Sequence, residues 1–208
     1  MIEPALAYVL GEHILVKRAG RARAADQGCG KLRHLAILRR NFARVLLIET
    51  LDQLNRPQKI FGDIATSIPR YVRDHYGARG AISFMAAESF ARSSVGLDLI
   101  LNACVLDVVP PNARQAILKA AARNLRAGGL LVLIVPRNDQ SILVRCTRKN
   151  RFFDGYVFRR GSIVTFYRNF DDAQILIRIA RSLDLDLVQD LSIYRQVCLI
   201  FSKRVPKS

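Results

Sequence analysis

Short apolar runs alternate with segments of helical apolar spacing along nearly the whole chain, and this alternation sets the fold class. Residues 22–26, 44–50, 81–87, 97–106, 130–136, 185–194 and 196–203 read as strands; 5–18, 31–40, 67–77, 110–129 and 171–184 read as helices. A run such as LLVLIVP, with no polar alternation, suits a strand covered on both faces. Strands that take turns with helices make a parallel sheet between two helical layers. The last two strands have too little chain between them for a parallel crossover, which needs a dozen or more residues, so they pair antiparallel. The expectation is an α/β fold with a doubly wound, mostly parallel seven-stranded sheet, helices on both faces and a C-terminal antiparallel hairpin.

The helices carry boundary signals. In 67–77, Pro69 sits in the first turn and Gly77 just past the end. In 110–129, Asn112 is placed to cap and Gly128 to terminate. Ile117, Leu118, Ala121, Ala122 and Leu125 line one face there, with Arg114, Lys119, Arg123 and Arg126 elsewhere. Leu32, Leu35, Ala36 and Leu38 cluster in 31–40. Leu176, Ile179, Ala180 and Leu183 form a stripe in 171–184, with Asp171 as its cap. With no internal repeat and no low-complexity linker, residues 1–208 are expected to form a single domain, within which 137–170 stands apart.

Composition narrows the class. No apolar run approaches the roughly 18 residues of a membrane span. The opening MIEPALAYVLGEHILVKR has Glu3 and no basic stretch ahead of its apolar part, so a secretory leader is not expected. Cys29, Cys104, Cys146 and Cys198 are far apart and include no C-x-x-C pair, which suits reduced thiols in a cytoplasmic protein and gives no metal site. The 33 Lys and Arg against 17 Asp and Glu give a formal charge of +16, a field that attracts anionic partners, nucleic acid among them.

The stretch DQGCGK (26–31) lies at the first strand-to-helix turn, where open α/β sheets bind ligands. Gly28 and Gly30 allow a sharp turn and a close backbone approach. A dinucleotide fingerprint needs a small residue at position 33, which is arginine here, and the P-loop pattern is absent. Asp26 would repel a pyrophosphate but attract a cation. Glu49 closes the second strand 23 residues later, where an acidic side chain can accept hydrogen bonds from ribose hydroxyls. A cationic end beside Asp26 and a ribose beside Glu49 suit S-adenosylmethionine.

On these residues the chain resembles the class I (Rossmann-like) S-adenosylmethionine-dependent methyltransferases over nearly its whole length. DQGCGK looks like the D/E-x-G-x-G turn of that family, LLIET like its ribose-binding strand end and DLILNACVLDVVP like its fourth-strand motif. LRAGGLLVLIVP is similar to its glycine-to-fifth-strand segment, and the closing pair of strands to its hairpin. Leu32 departs from a frequent third glycine. The resemblance implies that Asp26, Gln27, Gly28, Cys29 and Gly30 hold the methionine end of the cofactor. It puts Glu49 on the ribose, Thr50 and Leu51 beside the adenosine, and Glu88 at the adenine amino group. Asn102, Ala103 and Val105 would flank the sulfonium and the acceptor. Asp98 reads as structural, at the start of its strand.

Methyl transfer needs alignment and exclusion of water, and a base only when the acceptor must lose a proton. No base stands out; His13, His34 and His75 are scattered and read as surface or packing residues. NACV at the end of strand four lacks the prolines and aromatic of the enzymes that methylate exocyclic base amines, and no Pro-Cys occurs. Residues 137–168 interleave eight basic side chains with six aromatics, against Asp139 and Asp154 alone. The family often recognises its substrate in that region, so Arg159, Arg160 and Tyr167 are expected to bind the acceptor; a strand pair packing its aromatics on the core is the competing reading. Three functions remain: a methyltransferase for an anionic or aromatic small molecule, a nucleic-acid methyltransferase, or a non-catalytic cofactor-binding protein.

Overall fold

A computed structural model describes residues 21–62, 65–77, 80–161 and 163–206, without the side chains at 160 and 163. The expected helix at 5–18 and His13 lie outside the described residues. The central sheet is built from β1 (Arg23–Gln27), β2 (Arg44–Glu49), β3 (Ile82–Ala86), β4 (Leu97–Ala103) and β5 (Leu125–Pro136). The connecting helices are α1 (Leu35–Asn41), α2 (Leu51–Asn55), α3 (Ile68–Tyr76), α4 (Ala87–Arg92) and α5 (Pro111–Asn124). After β5 come α6 (Gln140–Leu143), β6 (Arg151–Phe152), β7 (Gly155–Arg160), β8 (Ile163–Tyr167), α7 (Gln174–Arg181), β9 (Leu185–Asp190) and β10 (Gln196–Lys203).

The seven-stranded sheet runs β3-β2-β1-β4-β5-β10-β9. Its first five strands are parallel, and β10 pairs antiparallel with both β5 and β9. The doubly wound sheet and the closing hairpin are as expected, and β10 inserts between β5 and β9. Alternation along the strands sends neighbouring side chains into two separate cores. Ala24, Leu99 and Val132 pack with Leu35, Leu38 and Val72 on the α1–α3 face. Ala25, Ile100 and Leu131 pack with Leu118, Ala121 and Leu176 on the α5–α7 face. The strand order reverses between β1 and β4, which opens the crevice at their carboxyl ends.

Several boundaries differ from the sequence reading. The α5 helix ends at Asn124, and residues 125–129 open β5 rather than extending the helix. Asn124 stops it by taking its amide to other work: its side chain donates to Phe90 O and accepts from Val95 N and Ser93 Oγ. Pro110, not Asn112, occupies the N-cap. α7 begins at Gln174, whose amide donates to Asp172 Oδ1, so Asp172 serves where Asp171 was expected. Ala36 is exposed, whereas Leu32, Leu35 and Leu38 are buried. The β4 strand stops at Ala103 because Cys104 turns left-handed at φ 56°. Asp98 is structural as expected, accepting from Arg23 N at 2.8 Å and from Arg126 Nε at 2.5 Å.

β6, β7 and β8 form a separate antiparallel sheet. It is tied to the larger one by Arg114, which is 2% exposed rather than solvated. Its guanidinium forks onto Asp154 at 2.5 and 3.1 Å, donates through Nε to Leu106 O, and lies between the rings of Phe166 and Phe170, 5.4 Å from each centroid. Arg168 Nη1 reaches Asp154 Oδ2 at 2.8 Å. Removing one member of such a pair strands a buried charge. Asp154→Ala is therefore expected to cost about 3 kcal/mol in denaturant unfolding and to raise hydrogen exchange in 151–167 ahead of β1–β5. Uniform exchange across both sheets would show that Arg114 does not hold the smaller sheet in place.

Candidate functional site

The turn after β1 is closed by backbone. Gly28 N and Cys29 N both donate to Ile48 O, at 2.8 and 3.2 Å, so the turn is bound to the end of β2. Gly28 has φ 83° and Gly30 φ 43°, the left-handed region where glycine carries no Cβ penalty. A Cβ on Gly28 would run into Val105 Cγ2, so the turn and the chain leaving β4 approach as closely as bare backbone permits. Leu32, which stands where a third glycine is frequent, is itself left-handed at φ 59° and fully packed in the core. Its buried side chain holds a conformation that leucine would otherwise avoid.

Asp26 and Gln27 point to opposite faces. Asp26 is 1% exposed, and neither carboxyl oxygen has a hydrogen-bond partner among the described residues. His34 Nδ1 lies 3.6 Å from Oδ2, close enough for an ion pair but too far for a hydrogen bond. A buried carboxyl group left this way is costly unless something polar completes it. Gln27, on the α5 face, donates to Ile117 O at 3.2 Å and accepts from Asn102 Nδ2 at 3.2 Å. These two amides thus tie β1, β4 and α5 together, while Asn102 Oδ1 has no hydrogen-bond partner among the described residues. Cys29 is likewise buried; burial first, then Asp26 and Glu49, push its thiol far up, so it adds packing and no nucleophile.

Glu49 is more than a solvated strand end. Oε2 accepts from Gly30 N at 3.2 Å and Oε1 from Thr50 N at 3.0 Å, which locks the glycine turn to β2. Each oxygen keeps a second lone pair for an incoming hydroxyl. Thr50 caps α2 through Gln53 N, and Leu51 is 60% exposed beside it. Glu88 is exposed in the first turn of α4, just beyond β3. Ala103 ends β4, Cys104 is exposed, and Val105 packs on Gly28. Asp26, Gly28, Gly30, Glu49, Thr50, Ala103 and Val105 therefore meet at one strand-end crevice.

Past β4 lies a cavity of about 280 Å³ walled by the turn after β4, by α6 with the chain just past it, and by the small sheet. Arg159 and Tyr167, both expected to bind the acceptor, line it; the side chain of Arg160 lies outside the described residues. The aromatics of 137–168 divide between the two readings: Phe166 and Tyr167 are buried, whereas Phe152 and Phe153 are exposed. Two residues that the sequence reading missed stand out. Arg145, on the cavity wall, lies over the Phe158 ring at 4.8 Å. Asp107, 4% exposed, has its carboxyl pushed up to about 6 by burial, against the pull of its own backbone N–H and of Arg114. The only available signal was the aspartate in VLDVVP, inside a motif read as a strand end. His34 is half-buried beside Asp26, and His75 is exposed, stacked on Tyr71 at 4.0 Å. Among the described residues no cluster of three or more His, Cys, Asp or Glu could hold a metal, and no helix is long and apolar enough to cross a membrane.

No protein-family model matches the chain. Over 153 residues it is 31% identical to the uncharacterized protein YmfD of Escherichia coli, spanning 73% of this chain and 67% of that protein. It is similar in structure to PH0226 of Pyrococcus horikoshii, with a TM-score of 0.68 and 13% identity over 98% of this chain and 88% of that one. It is also similar to a 1,6-didemethyltoxoflavin-N1-methyltransferase of Burkholderia thailandensis solved with S-adenosylhomocysteine (TM-score 0.60, 14% identity, 98% and 87% covered). A third similar structure is the magnesium protoporphyrin IX methyltransferase of Synechocystis, also with S-adenosylhomocysteine (0.62, 15%, 98% and 82%). The chain has the class I methyltransferase fold.

Two outcomes are expected from this geometry. Gly28→Ala should cost about 1–3 kcal/mol of stability through overpacking and backbone strain, with part recovered by adding Val105→Ala; no recovery in urea unfolding would remove the close approach as the cause. Asp107 has a folded value above its ordinary 3.8, so its contribution is fully present below pH 3.8 and is lost as pH rises through about 6. Asp107→Asn should therefore gain on the wild type by about 2 kcal/mol between pH 4 and pH 7, measured as denaturant midpoints at each pH. A pH-independent difference would refute the burial argument.

Proposed function

The chain belongs to the family of the Escherichia coli protein YmfD, and from that premise and its fold we propose that it is an S-adenosylmethionine-dependent methyltransferase for a small anionic or aromatic acceptor. The observation that carries this reading is Asp26: a buried carboxyl group with neither oxygen hydrogen-bonded among the described residues, beside a turn of bare backbone. A cationic ligand satisfies that arrangement, and a diphosphate does not. Asp26 and the backbone of residues 26–30 would hold the methionine end, and Glu49 the ribose hydroxyls. Thr50 and Leu51 would lie along the adenosine, Glu88 at the adenine amino group, and residues 102–105 between the sulfonium and the acceptor. Bound there, the cofactor supplies a methyl carbon already activated for displacement.

The chain's own task is alignment and exclusion of water. The Gly28–Val105 contact sets the depth of the crevice, and the small sheet walls its acceptor side. Orientation of this kind can supply much of a displacement barrier. Residues 137–170 act as the recognition element of a single domain, with Arg159, Arg160 and Tyr167 toward the acceptor. A cytoplasmic setting fits the four free cysteines.

A second reading has one observation in its favour. Phe152 and Phe153, 50% and 68% exposed, meet edge to face at 4.4 Å beside the exposed Arg148, Lys149 and Arg151. Exposed aromatics among basic side chains suit stacking on single-stranded nucleic acid. The cavity of about 280 Å³ against the small sheet favours the small acceptor.

Calorimetric titration of the full chain is expected to show binding of S-adenosylhomocysteine and none of NAD. Asp26→Ala and Glu49→Ala should each weaken that binding by about 1–3 kcal/mol. Unchanged affinity in both variants would rule out the site. Strongly salt-dependent binding to a single-stranded oligonucleotide, lost in the Phe152→Ala, Phe153→Ala double variant, would move the acceptor class to nucleic acid.

A further inference from the structure

The cavity beyond β4 contains more than a family resemblance requires. Its walls bring together Asp107 from the turn after β4, Arg145 from just past α6, Phe158 and Arg159 from β7, and Tyr167 from β8. Two of its polar atoms, Asp107 Oδ1 and Tyr167 Oη, are buried without a hydrogen-bond partner among the described residues, and their residues are 4% and 2% exposed. Buried polar atoms are nearly always satisfied, so two orphans on one cavity mark groups set to meet a ligand. The volume of about 280 Å³ is at the lower edge of ligand pockets, about right for one or two fused rings. The two arginines supply positive charge at the same walls, and Phe158 supplies a flat apolar face.

We propose that this cavity binds a hydroxylated aromatic anion, with Arg145 and Arg159 on its anionic group, and that Asp107 accepts the proton of the hydroxyl that takes the methyl group. The inference rests on the methyltransferase reading and names the acceptor class for it. In the transfer, the hydroxyl proton passes to Asp107 Oδ1 while a lone pair of the acceptor oxygen forms the new bond to the methyl carbon. The carbon–sulfur bond breaks, its electron pair stays on sulfur, and the sulfonium of the donor becomes a neutral thioether. Asp107 then releases the proton to water. Tyr167 donates its hydroxyl to the oxygen lone pair not used in the attack. Burial, with Asp139 and Asp107 adding to it, holds the Tyr167 phenol well above its ordinary value, so it stays a donor.

The groups facing Asp107 set its pH behaviour. Arg114 on α5 pulls its value down, while Cys104, whose own thiol is pushed up to about 11 by burial and then by Asp107, remains neutral. Tyr167 faces it from β8, with Arg145 and Arg159 across the cavity. Burial outweighs these cations, so the carboxyl titrates near 6 and is competent as a base just above that.

The test uses the full-length protein with 4-hydroxybenzoate, 3,4-dihydroxybenzoate and 1-hydroxy-2-naphthoate as acceptors, beside their uncharged counterparts phenol, catechol and 1-naphthol. Binding is read by calorimetry in the presence of S-adenosylhomocysteine, and transfer by labelled methyl. At least one carboxylate should bind and be methylated on its hydroxyl, with an affinity about tenfold above its uncharged counterpart. Arg145→Met and Arg159→Met should erase that preference and leave S-adenosylhomocysteine affinity unchanged. Asp107→Asn should keep acceptor affinity within about threefold, lower kcat roughly 100-fold and remove the rise in rate through pH 6. Asp107→Glu should restore part of the rate, which a purely structural role would not predict. A protein that binds S-adenosylhomocysteine but neither binds nor methylates any of the carboxylates would overturn the inference and spare the methyltransferase reading. Full activity in Asp107→Asn would remove the proton transfer. Failure to bind S-adenosylhomocysteine at all would bring down the underlying reading instead.

Discussion

The contact between Gly28 and Val105 decides how the carboxyl ends of β1 and β4 relate. Bare backbone on one side allows a branched side chain to press in from the other, so the two central strands end in a narrow crevice instead of splaying apart. Everything polar at the site is arranged from there. The turn is fixed from the β2 side by Ile48 O and by the Glu49 carboxylate, and Asp26 beneath it has no hydrogen-bond partner among the described residues. On the opposite face Gln27 and Asn102 bridge the same two strands to α5, so the crevice floor is pinned from above and below.

Chemistry and packing divide cleanly along β1. Alternation places Asp26 on the face toward α1 and Gln27 on the face toward α5, and the two polar residues meet opposite fates. Gln27 satisfies itself within the fold. Asp26 does not: among the described residues neither carboxyl oxygen has a hydrogen-bond partner, and a buried carboxyl left so costs free energy until something polar completes it. The same logic holds at the second cavity, where Asp107 Oδ1 and Tyr167 Oη are the orphans. Arg114 shows the contrasting case: a buried guanidinium with every direction occupied, by Asp154, by Leu106 O and by two aromatic rings. It holds the small sheet against the large one, and the cavity lined by β7 and β8 exists because that sheet is held there.

Much of the architecture was legible in the residues because it depends on local periodicity. Apolar runs marked all seven strands of the large sheet, and Pro69 and Gly77 marked α3. Boundaries failed where a tertiary contact overrode a local signal. Gly128 looked like the end of a helix that Asn124 had already stopped by bonding to Phe90 O on α4 and Val95 N in the loop after it. The helical spacing put Arg114 off the apolar face and said nothing of its burial; its partner is forty residues away.

By itself, then, the sequence determined the winding of the sheet, the hairpin that closes it and the glycine turn with Asp26 and Glu49 at successive strand ends. Hydrophobic spacing and glycine's freedom at positive φ act over a few residues and can be read from a few residues. Only the tertiary structure decided that Asp26 is left unpartnered, that Gln27 and Asn102 are turned toward α5, and that Asp107, Arg145, Arg159 and Tyr167 share one cavity. Burial and unmet hydrogen bonds are properties of what surrounds a side chain, and those surroundings come from segments that meet only when the chain is folded.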